Sequence, residues 1–80
     1  MKDLTAAAKK AVGSKAVLRA LKAGEAVRVY VASDTDTFLY QKVVRAVEDA
    51  GLRPVRVATG KELGQACGLQ IGCAAAALLR

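Results

Sequence analysis

Two aspartates, Asp34 and Asp36, stand where carboxylates could do chemistry. They follow the most regular strand pattern in the sequence, and carboxylates at the carboxyl end of a strand can hold a metal ion or serve phosphoryl transfer. The same side chains also cap helices, because their oxygens accept hydrogen bonds from the free N–H groups of a first turn. A helix pattern begins directly after them, so capping is the favoured prediction and a small metal-dependent enzyme is the alternative.

Other groups that could support catalysis are weak candidates. The chain has no histidine, and its two cysteines, Cys67 and Cys73, have no base predicted beside them. Their spacing matches no zinc pattern, and two cysteines do not make a disulfide framework. We predict buried free thiols in a reducing cytoplasm, no enzymatic activity, no metal and no cofactor.

Three glycines, Gly64, Gly68 and Gly72, recur at every fourth residue and suggest either a close helix contact or a phosphate cradle. No Gly-x-Gly-x-x-Gly or Walker motif occurs, so nucleotide binding has little support. In the structural interpretation, Gly64 permits tight packing, Gly68 ends a helix and Gly72 keeps a loop thin.

A basic cluster gives a more informative pattern. Lys15, Arg19 and Lys22 follow Gly13 and Ser14 at helical spacing, so they share one face of a predicted helix. A helix start carries free N–H groups and positive partial charge, so it can receive phosphate while the cationic side chains reach bases or backbone. The alternative is an ordinary solvated stripe, and spacing alone does not separate the two. The formal charge of +6 makes nucleic acid the first partner to consider.

The aromatic residues argue against one mode of binding. Only Tyr30, Phe38 and Tyr40 are present, and none forms an alternating pair on a basic strand. Base stacking on an open sheet is therefore disfavoured, and binding would run through a helix terminus and loops.

The elements that must position these residues follow from hydrophobic periodicity. Residues 4–11 predict a short helix running into a brief strand, and Ser14 is read as the N-cap of a helix over residues 15–23. Strict alternation predicts a strand with Val27, Val29 and Val31 on one face. A long helix carrying Leu39, Val43, Val47 and Ala50 on one stripe then ends at Gly51.

The last third of the chain predicts a strand from Pro54, a helix over residues 61–67 and a final strand. Thr59 and Glu62 have capping-box spacing before that helix. The alanine-rich tail is compatible with a helix or with a buried strand. We predict a strand, because the sheet would otherwise lack its last strand. Strand, helix, strand order implies a parallel crossover, and the sum is an α/β/α sandwich.

Length and composition limit the number of domains and the kinds of partner. Eighty residues, 54 % of them hydrophobic, predict a single domain over residues 1–80. The N-terminus lacks the apolar core of a signal peptide, and no apolar run is long enough to span a bilayer, so no membrane partner is expected.

Three segments carry a family resemblance. Residues 12–24 resemble a glycine-led helix start, residues 29–36 a strand followed by an acidic loop, and residues 61–72 a leucine-glycine, cysteine-glycine segment before a last strand. Together they resemble the L7Ae family of ribosomal and ribonucleoprotein components, and the short bacterial members most closely. The resemblance covers residues 12–80.

The resemblance implies a fold and a function. The fold would be an α/β/α sandwich around a mixed four-stranded sheet, with the tail as a strand, and the function would be non-enzymatic binding of kink-turn RNA. Gly13, Ser14 and Lys15, with Arg19, would enter the groove beside tandem sheared G·A pairs. Asp36 would lie near the loop nucleotides, and an apolar loop would cover the extruded nucleotide, its residues being Leu69, Gln70, Ile71 and Gly72.

The sequence departs from the family pattern at four positions. Many members carry Asn then Glu where this chain has Lys15 and Ala16, so any contact of that acidic side chain is missing, and Ser33 and Thr37 replace the usual Glu and Pro. The expected partner is a ribosomal or riboswitch-like RNA, with or without the ribosome, bound by a monomer. A protein-interaction or ribosome-assembly module without kink-turn specificity is the alternative.

Overall fold

The computed structural model describes residues 2–80, which form four helices and four strands. In chain order the elements are α1 (Lys2–Ala6), β1 (Lys10–Val12), α2 (Ser14–Lys22), β2 (Ala26–Ala32), α3 (Thr37–Asp49), β3 (Pro54–Val57), α4 (Gly60–Ala66) and β4 (Ala75–Leu79). The predicted helices and strands are present, and the tail is a strand as expected. No helix among these residues has the length and apolar content needed to cross a membrane.

The sheet is mixed and has the strand order β1-β4-β2-β3. The tail strand β4 pairs antiparallel with β1 and with β2, whereas β2 and β3 run parallel. Because β4 lies in the interior of the sheet, its residues Ala75, Ala76 and Ala77 are fully buried. Tertiary burial thus overrides the helix propensity of alanine.

Helices cover both faces of the sheet, as the α/β/α prediction requires. On one face α2 and α3 pack against Val29 and Val31 of β2, and on the other α4 and Leu4 of α1 pack against Tyr30 and Ala32. Successive strand residues point to opposite faces, so one strand serves both cores. Among the side chains of residues 3–80, no buried polar atom lacks a hydrogen-bond partner.

The predicted alternation in β2 is wrong at Val27. A register shift against β4 falls between Ala26 and Arg28, so Ala26 enters the core beside α2 while the side chain of Val27 is 51 % exposed. An irregularity of this kind adds one residue to a strand and reverses the faces of those before it. It leaves Val29 and Val31 buried as predicted.

Three helix ends also differ from the prediction. Ser14 is the first helical residue of α2 and not its N-cap, because Gly13 occupies the N-cap with φ 95°, ψ 152°, a conformation that side chains resist. Ala50 caps the end of α3 and is exposed, so the buried stripe of that helix stops at Val47. The N-terminal helix is shorter than predicted and ends at Ala6.

Candidate nucleic-acid interface

Four connecting segments meet at one end of the sheet, because β1, β2 and β3 end where β4 begins. We call this end the loop edge. It comprises Gly13, residues 33–36, 58–59 and 67–74, and the first two residues of each helix that begins there, residues 14–15, 37–38 and 60–61. Backbone hydrogen bonds join its parts. The Gly13 N–H donates to the Ala75 carbonyl (2.8 Å), that of Ala32 to Ala74 (2.9 Å), and that of Ser33 to Val57 (2.7 Å).

Helices α2, α3 and α4 all begin at the loop edge, but their first turns differ. Asp36 accepts a hydrogen bond from the Leu39 N–H (3.2 Å) at the start of α3, and the Thr59 hydroxyl accepts one from the Glu62 N–H (3.1 Å) at the start of α4. The start of α2 has no side-chain cap. Its free N–H groups and positive partial charge therefore remain available to an external anion.

Two cationic side chains stand beside that uncapped start. Lys15 and Arg19 are exposed and lie one helical turn apart, on the face of α2 opposite the buried Val17 and Leu21. Lys22 shares this face but lies in the last turn, roughly 10 Å along the axis from Lys15. The loop edge thus includes Lys15, with Arg19 one turn behind it, and does not include Lys22.

Both aspartates accept hydrogen bonds from backbone N–H groups, but the prediction that they cap the helix following them is confirmed only for Asp36. Besides the Asp36 cap, the Asp34 carboxylate accepts a hydrogen bond from the Gly60 N–H (2.8 Å), which holds the start of α4 against the β2–α3 loop. Within residues 2–80 no three His, Cys, Asp or Glu side chains are grouped as metal ligands. The carboxylate of Asp36 lies at the loop edge, where the family resemblance expected an acidic group.

The segment between α4 and β4 is fixed close to the helix by glycines. A Cβ at Gly64 would overlap the Ile71 carbonyl, and one at Gly72 would lie 3.3 Å from the Gly60 backbone. Gly68 adopts φ 80° just after the helix, as its predicted place at a helix end requires. The packing predictions for Gly64 and Gly72 are also confirmed.

Two hydrogen bonds complete this support: the Leu69 N–H donates to Gly64 O (2.8 Å), and the Cys73 N–H donates to Gly60 O (3.0 Å). Leu69 turns partly into the core against α4, while Gln70 and Gly72 are exposed. The side chain of Ile71 is 75 % exposed. An apolar side chain is thus presented to solvent from a rigidly supported loop at the same edge as the start of α2.

The cysteines flank this loop as free thiols. Cys67 is buried, as predicted, whereas Cys73 is only partly buried. Burial, with a smaller contribution from the neighbouring Cys67, raises the pKa of the Cys73 thiol to about 11. Near neutral pH it is therefore protonated and a poor nucleophile.

The structure brings most of the predicted residues together. Gly13, Ser14, Lys15 and Asp36 lie at the loop edge with residues 69–72, whereas Ala16 is half-buried against the core under α2. One residue that the sequence reasoning missed is Lys61, which is exposed in the first turn of α4 with its backbone N close to Gly72. The predicted parallel crossover, with the capping box after its second strand, already indicated that α4 begins at this edge.

Comparisons with known proteins agree with this architecture. The sequence profile described as "Ribosomal protein L7Ae/L30e/S12e/Gadd45 family" matches residues 1–80. The chain is 45 % identical over 74 residues to the RNA-binding protein YbxF of Geobacillus stearothermophilus, covering 92 % of this chain and 90 % of that protein. It is 38 % identical over 69 residues to an RNA-binding protein of Caldanaerobacter subterraneus, covering 86 % and 84 %.

A solved structure shows the same fold. The 15.5kD RNA binding protein of Giardia lamblia superposes with a TM-score of 0.87 at 24 % identity, covering 99 % of this chain and 67 % of that one.

Proposed function

Because the chain belongs to the Ribosomal protein L7Ae/L30e/S12e/Gadd45 family, we propose that it is a non-enzymatic RNA-binding protein that recognises and stabilises kink-turn internal loops. One observation carries the proposal. The uncapped start of α2, with Lys15 beside it, lies at the same edge as the exposed Ile71 on a loop that glycines hold in place.

Electrostatics supplies the reason for a preference for bent RNA. A kink brings two phosphate backbones close together, so the kinked form suffers more repulsion than the extended form. A protein with formal charge +6 that binds only the kinked form shifts the population toward it. Recognition is then largely recognition of shape.

Lys15 is the residue to which we assign base recognition. Side chains cannot reach the bases in the narrow major groove of a regular A-form helix. A kinked internal loop exposes base edges to a side chain at the start of a helix. From the first turn of α2 the Lys15 ammonium can donate to guanine O6 or N7 while the free N–H groups meet phosphate. Gly13 permits this close approach because it has no side chain, and Ser14 follows it into the groove.

The loop of residues 69–72 is assigned to the extruded nucleotide. Ile71 offers an apolar surface that loses its water when a base covers it, and Gln70 can hydrogen-bond at the rim. The supporting glycines hold the loop before RNA arrives, so little conformational entropy is lost on binding. We assign Asp36, which is part of the loop edge, to the same nucleotide. Lys22 would contact only RNA that extends along α2.

The proposal also includes a cellular compartment and an RNA partner. Both cysteines are free thiols, which suits a reducing compartment such as the cytoplasm. We propose a monomer whose partner is ribosomal or riboswitch-like RNA, with ribosome association as one consequence. Ala16 offers no acidic side chain, so RNA contacts at the start of α2 depend on Lys15 and the backbone.

Titration of a kink-turn RNA against a plain duplex of equal length and charge tests the proposal. Because both RNAs carry the same number of phosphates, a difference in affinity reports recognition of the kinked shape. We expect the kink-turn to bind at least about tenfold more tightly at physiological salt. Equal affinity for the two RNAs would reject kink-turn recognition and favour a protein-interaction or ribosome-assembly module.

Arg19 provides a test of the phosphate contacts. If Arg19, one turn behind Lys15, meets a phosphate, then Arg19→Ala weakens binding and reduces the slope of log K against log salt by about one unit. Binding isotherms at four or more salt concentrations give this slope. An unchanged slope with weaker binding would assign Arg19 to a base contact instead.

A further inference from the structure

Phe38 is an exposed aromatic residue that the proposed kink-turn site does not use. Its side chain is 84 % exposed, more than any other large hydrophobic side chain among residues 2–80. It lies in the first turn of α3, which begins at the loop edge just after Asp36. An exposed phenylalanine ring offers a flat apolar surface on which a base can stack.

Cationic side chains continue the same stripe of α3. Gln41, Lys42 and Arg45 stand three, four and seven residues after Phe38, so all four lie on the face opposite the buried Val43 and Val47. They line an open groove along the helix, whose other lining residues are Tyr40, Val44 and, toward its far end, Glu48. The groove therefore begins with an aromatic ring at the loop edge and continues with two positive charges.

The charge of the surrounding layer favours a polyanion as the occupant. The outer faces of α2 and α3, which pack side by side, carry Lys15, Arg19, Lys22, Lys42 and Arg45. The carboxylates of α3 itself, Glu48 and Asp49, stand in its last turn, away from Phe38. On the opposite layer an ion pair with Asp3 offsets the charge of Arg28 (2.7 Å). The positive charge of the α2/α3 layer therefore attracts a negatively charged nucleic-acid strand.

We propose that Phe38, Gln41, Lys42 and Arg45 form a second RNA subsite, which binds an unpaired strand leaving the kinked loop. A base stacks on the Phe38 ring, and the following phosphates lie against Lys42 and Arg45. The inference rests on the proposed function, because the kink-turn at the loop edge delivers the strand to α3. Stacking accepts any base, so the subsite contributes affinity and little sequence specificity.

A comparison of blunt kink-turn RNA with extended versions tests this subsite. Each extended version carries four unpaired uridines on one strand end, and the candidate ends that could exit beside α3 are tried in turn. For the wild-type protein we expect one of the extensions to tighten binding about tenfold, the gain of one stacked base with its phosphates. Phe38→Ala should abolish that gain and leave the affinity for blunt RNA unchanged. Because the Phe38 side chain is exposed, this change should leave the fold intact, and a circular dichroism melt checks that it does.

Matched controls lie at the opposite end of the sheet. Val27→Ala removes another exposed apolar side chain, 51 % exposed at the start of β2, and should retain the full gain. Lys42→Ala should lose part of the gain, whereas Arg53→Ala, just before β3, removes an equal charge and should keep all of it.

The outcomes separate this inference from the proposed function. Tight binding of blunt kink-turn RNA with no gain from either extension overturns the subsite and leaves the kink-turn assignment standing; Phe38 would then belong to a protein contact. Failure to prefer kink-turn over duplex RNA, with single-stranded oligouridine still bound through Phe38, overturns the proposed function and retains a single-strand site. A gain that survives Phe38→Ala also rejects the subsite.

Discussion

Lys15→Ala is expected to weaken kink-turn binding by between about 5-fold and 150-fold, the range of one good base contact, while leaving the fold intact. Lys15 is exposed in the first turn of α2, so the folded chain does not depend on its side chain. The uncapped N–H groups remain and retain part of the phosphate binding. Fluorescence anisotropy with labelled kink-turn RNA measures the loss.

Arg53→Ala is the matched control for this change. It removes one positive charge from an exposed position before β3, at the end of the sheet away from the loop edge. If long-range attraction alone explained binding, both variants would lose the same small factor. Equal losses in Lys15→Ala and Arg53→Ala would therefore refute a specific contact by Lys15.

Gly64→Ala is expected to reduce the free energy of unfolding by about 3 kcal/mol, the upper part of the range for inserting an atom into a packed site. The new Cβ would overlap the Ile71 carbonyl and lie 3.1 Å from the Gly72 Cα, and both are backbone atoms that cannot rotate away. Alanine would gain about 1 kcal/mol of helix propensity over glycine, which is too little to offset the overlap. Urea denaturation followed by circular dichroism measures the change.

The neighbouring position supplies a control on the same helix. Gln65 is exposed, so Gln65→Ala should alter stability by less than about 0.5 kcal/mol. Because the overlap is with the loop that we assign to the extruded nucleotide, Gly64→Ala should also weaken kink-turn binding at temperatures where the variant is still folded. A Gly64→Ala protein as stable as wild type would show that the loop is not held by close packing against α4.

The sequence predicted the architecture because the periodic patterns were consistent with one another. The strand alternation of Val29 and Val31 and the helical stripe of Val43 and Val47 each required a buried partner, and an α/β/α arrangement satisfies them all. The tail was the ambiguous part. Its strand is decided by long-range pairing of Ala75–Leu79 with β1 and β2, which local propensity does not contain.

The errors have physical causes at particular residues. Ser14 is a preferred N-cap type, but the N-cap of α2 needs φ 95°, which Gly13 alone among the neighbours tolerates. Val27 fits the alternation of β2, and only its pairing with β4 reveals the register shift that turns it outward.

The candidate site could be predicted only in part. The basic spacing in α2 and the glycines before β4 were visible in the sequence, whereas the shared edge of Lys61 and Phe38 depends on which strand ends meet. Capping is also a property of the folded chain. Three helices begin at the loop edge, and only contacts in the structure reveal that the start of α2 is the one without a side-chain cap.

The central claim is that the loop edge binds RNA in its bent form, and energy transfer between fluorophores on the two arms of a kink-turn RNA measures that bending directly. Without divalent cations the free RNA is expected to be mostly extended, with low transfer efficiency. Added protein should raise the efficiency to a plateau at the concentration that saturates binding, and Lys15→Ala should move that midpoint by the factor measured in the anisotropy titration. Saturating binding with no rise in transfer efficiency would contradict the account.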